Sequence, residues 1–138
     1  MPLPTGLVQR YVDLWNEADP DARRAAVREL WSADGAQVLQ PPKEMLDQAA
    51  QIGFFNPVLE ARGHGALEAR VARAHEQFIA SGEFRFVPRD DAMQVGDVVK
   101  FGWAMVPVNG GEAAGAGLEF LMLDADGRIR LDYQFIEP

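Results

Sequence analysis

The sequence predicts an α+β fold: a helix-backed, curved antiparallel sheet enclosing a small pocket. Two observations carry this expectation. Apolar residues in the first half recur every three or four positions, the spacing of helices with one buried face. The second half reads as alternating strands divided by Gly96-Asp97, Asn109-Gly110-Gly111 and Asp126-Gly127. Such pairs accept the positive φ of hairpin turns, and short connections make neighbouring strands antiparallel. Helices followed by a meander place the helices on one face of the sheet.

Taken in order, Leu7, Val8, Tyr11, Val12, Leu14 and Trp15 form the stripe of a first helix. Asp19-Pro20 opens a second, because aspartate accepts from free first-turn amides and proline has no amide to lose there. Its stripe is Ala22, Ala26, Val27, Leu30 and Trp31, and Asp34-Gly35 is its expected stop. Ala36 to Gln40 is a short strand ended by Pro41-Pro42, and Lys43 to Ile52 a short helix broken by Gly53-Phe54-Phe55-Asn56-Pro57. Val58 to Arg62 is a second strand. After Gly63 a long helix carries Leu67, Val71, Ala74 and Phe78 inward. Strands over 84–94, 97–108, 113–123 and 128–136 complete the chain, which reads as one domain over residues 1–138.

Composition excludes several function classes. There is no cysteine, hence no thiol nucleophile, disulfide or thiolate metal site. Lys plus Arg number 13 against 21 Asp plus Glu, a net charge of −8 with no basic stripe for a phosphate backbone. No nucleic-acid partner is expected. The segment Met1 to Gly6 lacks the basic and apolar regions of a leader, and no apolar run approaches the ~20 residues of a membrane span. A cytoplasmic protein without membrane attachment is the expectation.

Chemistry-bearing residues are few. His64 and His75 are eleven residues apart on one helix, about 16 Å along its axis, too far to share a metal. No metal or other cofactor is expected. Ser32 and Ser81 sit at helix ends, outside any nucleophile elbow. The anomaly is Glu119, the only charge in Gly115 to Leu123. If its face is buried, its carboxyl is held protonated and can donate to a developing oxyanion; otherwise it faces solvent or pairs with an arginine at a dimer surface. Asp132 and Gln134 alternate with Leu131, Tyr133 and Phe135, and the usual core arrangement turns the apolar set inward. A dimer covering the outer face reverses that. Tyr11 shares a helix face with Trp15, and its buried hydroxyl needs a partner such as a carboxyl across a cavity.

Arg10 to Asn16, Leu30 to Ala36, Gly63-His64 and Leu123 to Ile129 together resemble the nuclear transport factor 2-like superfamily, in particular its SnoaL-like and ketosteroid-isomerase-like branch. The resemblance spans nearly the whole chain. It implies a cone-shaped curved antiparallel sheet wrapped on three N-terminal helices, a pocket within the cone and a homodimer formed through the sheet. It also implies oxyanion donors at Tyr11 and at Glu119, where the isomerases carry an aspartate. Their proton-moving base falls at Gln40, which cannot abstract a proton. Asp132 then remains as a base. Trp15, Gln40, Phe54, Phe55, Phe78, Trp103 and Gln134 are the expected ligand contacts, with Phe54 and Phe55 in a lid. Three readings stay open: a small-molecule-binding domain acting as an isomerase- or cyclase-type enzyme on a hydrophobic carbonyl compound, a non-catalytic binding or dimerisation module, and a structural partner-binding protein whose pocket is filled by its own side chains.

Overall fold

The structure is a computed structural model and describes residues 6–138. Met1 to Thr5, most of the segment read above for a leader, lie outside the described residues. Helix α1 (Leu7–Asn16) buries Leu7, Tyr11, Val12, Leu14 and Trp15 on one face. In α2 (Pro20–Leu30) the Asp19 side chain accepts from the Asp21 amide at 3.2 Å, the predicted cap. Helix α4 (His64–Ala74) turns Leu67, Val71 and Ala74 inward and continues through a wider π-type turn over His75–Ile79.

Three helices, α1, α2 and α4, pack on the sheet, as expected. The fourth, α3 (Lys43–Gln51), has no buried residue and stands apart from them. Among the described residues no helix is long and apolar enough to cross a membrane.

Seven strands form one curved sheet: β1 (Trp31–Leu39), β2 (Leu59–Arg62), β3 (Phe84–Pro88), β4 (Met93–Val95), β5 (Val98–Pro107), β6 (Gly115–Leu123) and β7 (Ile129–Ile136). Their order is β2-β1-β7-β6-β5-β3, with β4 also on β5, so the sheet is not closed. The meander β5-β6-β7 is antiparallel as its turns predict. One pair departs from the expectation: β1 and β7 run parallel, because the chain returns to β1 from the far end of the sequence.

Three boundaries also differ. Trp31 does not belong to the α2 stripe; it opens β1 and pairs with Ile129. Asp34-Gly35 therefore stops no helix. It lies where the β1–β7 register shifts, and a Cβ on Gly35 would sit 2.7 Å from the Ile129 carbonyl oxygen and 2.8 Å from the Trp31 ring. Ser32 is accordingly on a strand. The single strand expected over 84–94 is two, β3 and β4, interrupted near Asp90, whose φ is 58°.

Gly117 shows how the sheet makes room for a cavity. It pairs with Trp103 across β5 and β6. A Cβ there would stand 2.5 Å from Trp103 Cζ2 and 2.7 Å from the Phe135 carbonyl oxygen. The indole takes the space a Cβ would need, so any side chain there must displace it. Gly117→Ala is expected to destabilise the fold by ~1–3 kcal/mol, the range for overpacking, seen as a melting temperature lowered by several degrees in circular dichroism. An unchanged melting temperature would mean the indole has space to move.

Candidate active site

Strand pairing gathers the polar residues. Inward positions on three adjacent strands hold Gln37 beside Asp132, and Glu119 beside Gln134. Tyr11 reaches them from α1, its ring wedged among Phe101, Trp31 and Trp15 at centroid distances of 5.3, 5.6 and 6.1 Å. Arg70 reaches them from α4, with its guanidinium 5.5 Å from the Trp15 ring.

At the centre is the Tyr11 hydroxyl, 2.8 Å from Glu119 Oε1 and 2.5 Å from Asp132 Oδ2. Gln37 Nε2 donates to Asp132 Oδ2 at 3.2 Å and to the Tyr11 oxygen at 3.3 Å. Gln134 Nε2 donates to Glu119 Oε1 at 2.8 Å. Arg70 holds both amides: Nε donates to Gln37 Oε1 at 3.0 Å and Nη2 to Gln134 Oε1 at 3.2 Å.

The proton count of this cluster is constrained. A tyrosine hydroxyl has one hydrogen, yet it touches two carboxyls. Glu119 and Asp132 are both 0% exposed, and Glu119 Oε2 and Asp132 Oδ1 have no donor among the described residues. Two adjacent buried carboxylates with this few donors cannot both stay ionised at neutral pH. Burial, then the Asp132 charge, holds the Glu119 carboxyl well above the usual carboxylate range. Burial raises Asp132 to about 7, against hydrogen bonds from Tyr11 and Gln37 and the positive charge of Arg70. Burial and both carboxylates push Tyr11 well above its ordinary value, so it stays a phenol. The buried pair therefore holds on to protons far above the usual carboxylate range, Glu119 the more so, and the shorter contact of the Tyr11 hydroxyl is to Asp132.

A cavity of about 510 Å³ opens over this cluster. Its wall is mainly apolar, with Val12, Phe86 and Met105 beside Trp15, Phe78 and Trp103, and its polar members include Tyr11, Glu119, Arg70, Gln40, Gln77 and Gln134. Asp132 lies behind the wall.

The structure thus brings together Tyr11, Glu119, Asp132 and Gln134, and sets Trp15, Gln40, Phe78 and Trp103 around the cavity. Phe54 and Phe55 are not there: they follow α3, are 64% and 78% exposed, and do not line the cavity. Of the two faces of β7 that the sequence leaves open, the structure turns inward the one that carries Asp132 and Gln134. Asp132 and Gln134 are buried and Phe135 is exposed, because the cluster supplies the partners those polar groups need. Gln37 and Arg70 escaped the sequence reading. Both carried the signal that exposed Glu119: Gln37 interrupts an apolar strand, and Arg70 lies within the inward stripe between Leu67 and Ala74. The histidines lie outside the cluster, with His64 Nε2 2.9 Å from the Trp31 carbonyl oxygen. Burial, then Arg23, lowers the pKa of His75.

No family model matches the sequence, and no curated protein matches it significantly. Solved structures do. A candidate isomerase of the SnoaL-like family from Agrobacterium tumefaciens aligns over 100% of both chains with a TM-score of 0.76 at 22% identity. A nuclear transport factor 2-like protein of unknown function from Exiguobacterium sp. aligns over 95% of this chain and 98% of its own, with a TM-score of 0.62 at 17% identity. A candidate polyketide cyclase from Sinorhizobium meliloti covers 97% of this chain and 94% of its own, with a TM-score of 0.59 at 16% identity. At these identities the likeness establishes the fold, which is the SnoaL-like, nuclear transport factor 2-like one.

Proton retention by Asp132 has a measurable sign. Its pKa is raised on folding, from 3.8 to about 7, so the folded chain keeps a proton that the unfolded chain releases. Stability from this group is full below the unfolded value and falls as pH rises towards about 7, with a slope of at most ~1.4 kcal/mol per pH unit. Glu119, also raised by burial, acts in the same direction. Asp132→Asn is expected to flatten the decline between about pH 4 and pH 7 in urea melts. A parallel decline in the variant would show that Asp132 is not the proton holder.

Proposed function

We propose that this chain, on its SnoaL-like fold, is an isomerase- or cyclase-type enzyme that moves protons on a hydrophobic carbonyl compound bound in the cavity. The observation that carries this reading is a pair of buried carboxyls joined through Tyr11, of which Glu119 lines an apolar cavity, with burial raising the pKa of both. A neutral carboxylic acid in a dry site is a strong donor to an oxygen that gains negative charge. Glu119 gives its proton to the substrate carbonyl oxygen, and the carboxylate it becomes takes the proton from the adjacent carbon; the C–H bonding pair becomes the carbon–carbon double bond of the enol, and Glu119 is again protonated. While Glu119 is ionised, the Tyr11 hydroxyl donates its one hydrogen to Glu119 and a protonated Asp132 donates to the Tyr11 oxygen. Asp132 lies behind the wall, so its part in moving the proton runs through Tyr11. Gln40 and Gln134 orient the ligand by hydrogen bonding, and Trp15, Phe78 and Trp103 enclose its apolar part.

The test is deuterium exchange at the carbon next to the carbonyl in a panel of aryl and polycyclic ketones, followed by NMR in heavy water. The wild-type chain is expected to accelerate exchange, and Glu119→Gln to lower that rate by ~10²–10⁴-fold, the range for loss of a general acid–base group. Thermal stabilisation by the same ketones should survive in the variant.

A second reading, a non-catalytic binding module, is favoured by one residue. Gln40 stands where the resemblance implies the proton-abstracting aspartate. Ketones that stabilise the fold without any exchange would establish this reading and end the enzymatic one.

The proposal includes a homodimer through the outer face of the sheet. Phe135, 53% exposed, packs edge-on against Phe120 there at 5.5 Å, with Leu118, Met122, Leu131 and Tyr133 half-buried around them. Light scattering after gel filtration should give twice the chain mass, falling to the single-chain mass for Phe135→Glu. A monomeric wild type would rule this interface out.

A further inference from the structure

The cavity wall has one cation, Arg70, among the described residues. Most arginines of this chain that form ion pairs do so at the surface, including Arg24, Arg28, Arg62, Arg73 and Arg89. Arg70 has no carboxylate within ion-pair distance among the described residues. Its contacts are the two amide oxygens of Gln37 and Gln134 and the face of Trp15. A guanidinium has five N–H donors, and those two bonds leave three.

Gln37 sets the cation apart from the anion behind it. Its Oε1 accepts from Arg70 while its Nε2 donates to Asp132, so the charges are bridged by an amide and do not pair directly. Arg70 is thereby kept as a positively charged fork in the wall of a mainly apolar cavity, its stem fixed on an indole. Such a fork matches a carboxylate better than any neutral group.

We infer that the ligand of this cavity is an apolar carboxylic acid, bound as its carboxylate to Arg70, with a keto group a few carbons away against Glu119. The spacing follows from Gln134, whose Oε1 accepts from Arg70 and whose Nε2 donates to Glu119: the two anchor points are one amide apart. The inference rests on the cavity being a small-molecule site, as proposed above, but not on catalysis there. It narrows the substrate class to aryl or alkyl keto acids.

A carboxylate beside Arg70 also meets the charge of Asp132. The titratable and charged groups around Asp132 are Tyr11 from α1, Arg70 from α4 and Glu119 from β6. Tyr11 stays a phenol and Arg70 is always charged, and burial raises Glu119 well above the carboxylate range, so the charge that changes near neutrality is that of the carboxyl pair, with Asp132 raised to about 7. Binding an anion favours its protonated form. Affinity for the acid should therefore rise as pH falls from about 8 to about 6, with uptake of a proton, while the ligand itself stays ionised.

The experiment is isothermal titration of the whole chain with two matched pairs: 4-oxo-4-phenylbutanoate against 4-oxo-4-phenylbutanamide, and 2-naphthylacetate against 2-naphthylacetamide. The acid of at least one pair is expected to bind roughly tenfold or more tightly than its amide, since a hydrogen bond to a charged group contributes that much. Arg70→Gln should remove the preference, bringing acid affinity down to that of the matching amide, and circular dichroism of the variant checks that the fold is intact. Arg70→Lys should retain part of it. Asp132→Asn should keep acid binding but lose its pH dependence. Amides that bind as tightly as the acids, or a preference that persists in Arg70→Gln, would overturn the inference while leaving a neutral-ligand site. If neither member of either pair binds at millimolar concentration, the inference falls together with the reading of the cavity as a small-molecule site.

Discussion

A single hydroxyl hydrogen shared between two buried carboxyls sets the terms for the rest of this molecule. Tyr11 cannot satisfy Glu119 and Asp132 at once, so the cluster must keep an additional proton or admit a charge it can barely solvate. The surrounding architecture answers that demand. Three aromatic rings fix the phenol. Two glutamines bring amide donors to the carboxyls, and one arginine fixes both glutamines through their carbonyl ends. Removing one member leaves a buried polar atom of another without its partner, which costs more than the lost bond itself. Stability and a proton poised at neutral pH therefore come from the same contacts.

The cavity inherits its asymmetry from this arrangement. One part of its wall is aromatic and aliphatic, and the other carries a neutral acid and a cation separated by the width of an amide. Gly117 enters here as well, because without its bare backbone Trp103 would be pushed from its place in the wall. Fold, pocket shape and polarity thus depend on a small number of residues that a helix-and-strand pattern alone does not distinguish.

Most of the fold was legible because amphipathic spacing and glycine turns are local signals. Tyr11 and Glu119 were legible because each is a polar exception in an otherwise apolar run. The face of β7 was not. Its two sets of alternating residues both have reasons to be buried, so periodicity gives parity without direction, and tertiary partners chose the side holding Asp132 and Gln134. Arg70 was hidden by the commonness of arginine on helices, where a long stem normally carries the charge to water. Trp31 was misplaced because Asp34-Gly35 imitates a helix stop, while its real cause, the close approach of Ile129, lies almost a hundred residues away. Phe54 and Phe55 mislead for the opposite reason: hydrophobicity states a preference for burial but names no place for it.

The position of β7 has a consequence for how the chain reaches this state. It is the last strand in the sequence, yet it lies inside the sheet, between β1 and β6, and is the link joining β2-β1 to the meander. During synthesis the two halves of the sheet have no shared edge until residues 129–136 leave the ribosome. Until then β1 and β6 each expose an unpaired edge, and the two carboxyls have no common site. Proton-holding cluster and complete sheet must appear in one late step, so a nascent chain stalled before β7 would be a poorly packed, edge-exposed species of the kind that chaperones retain.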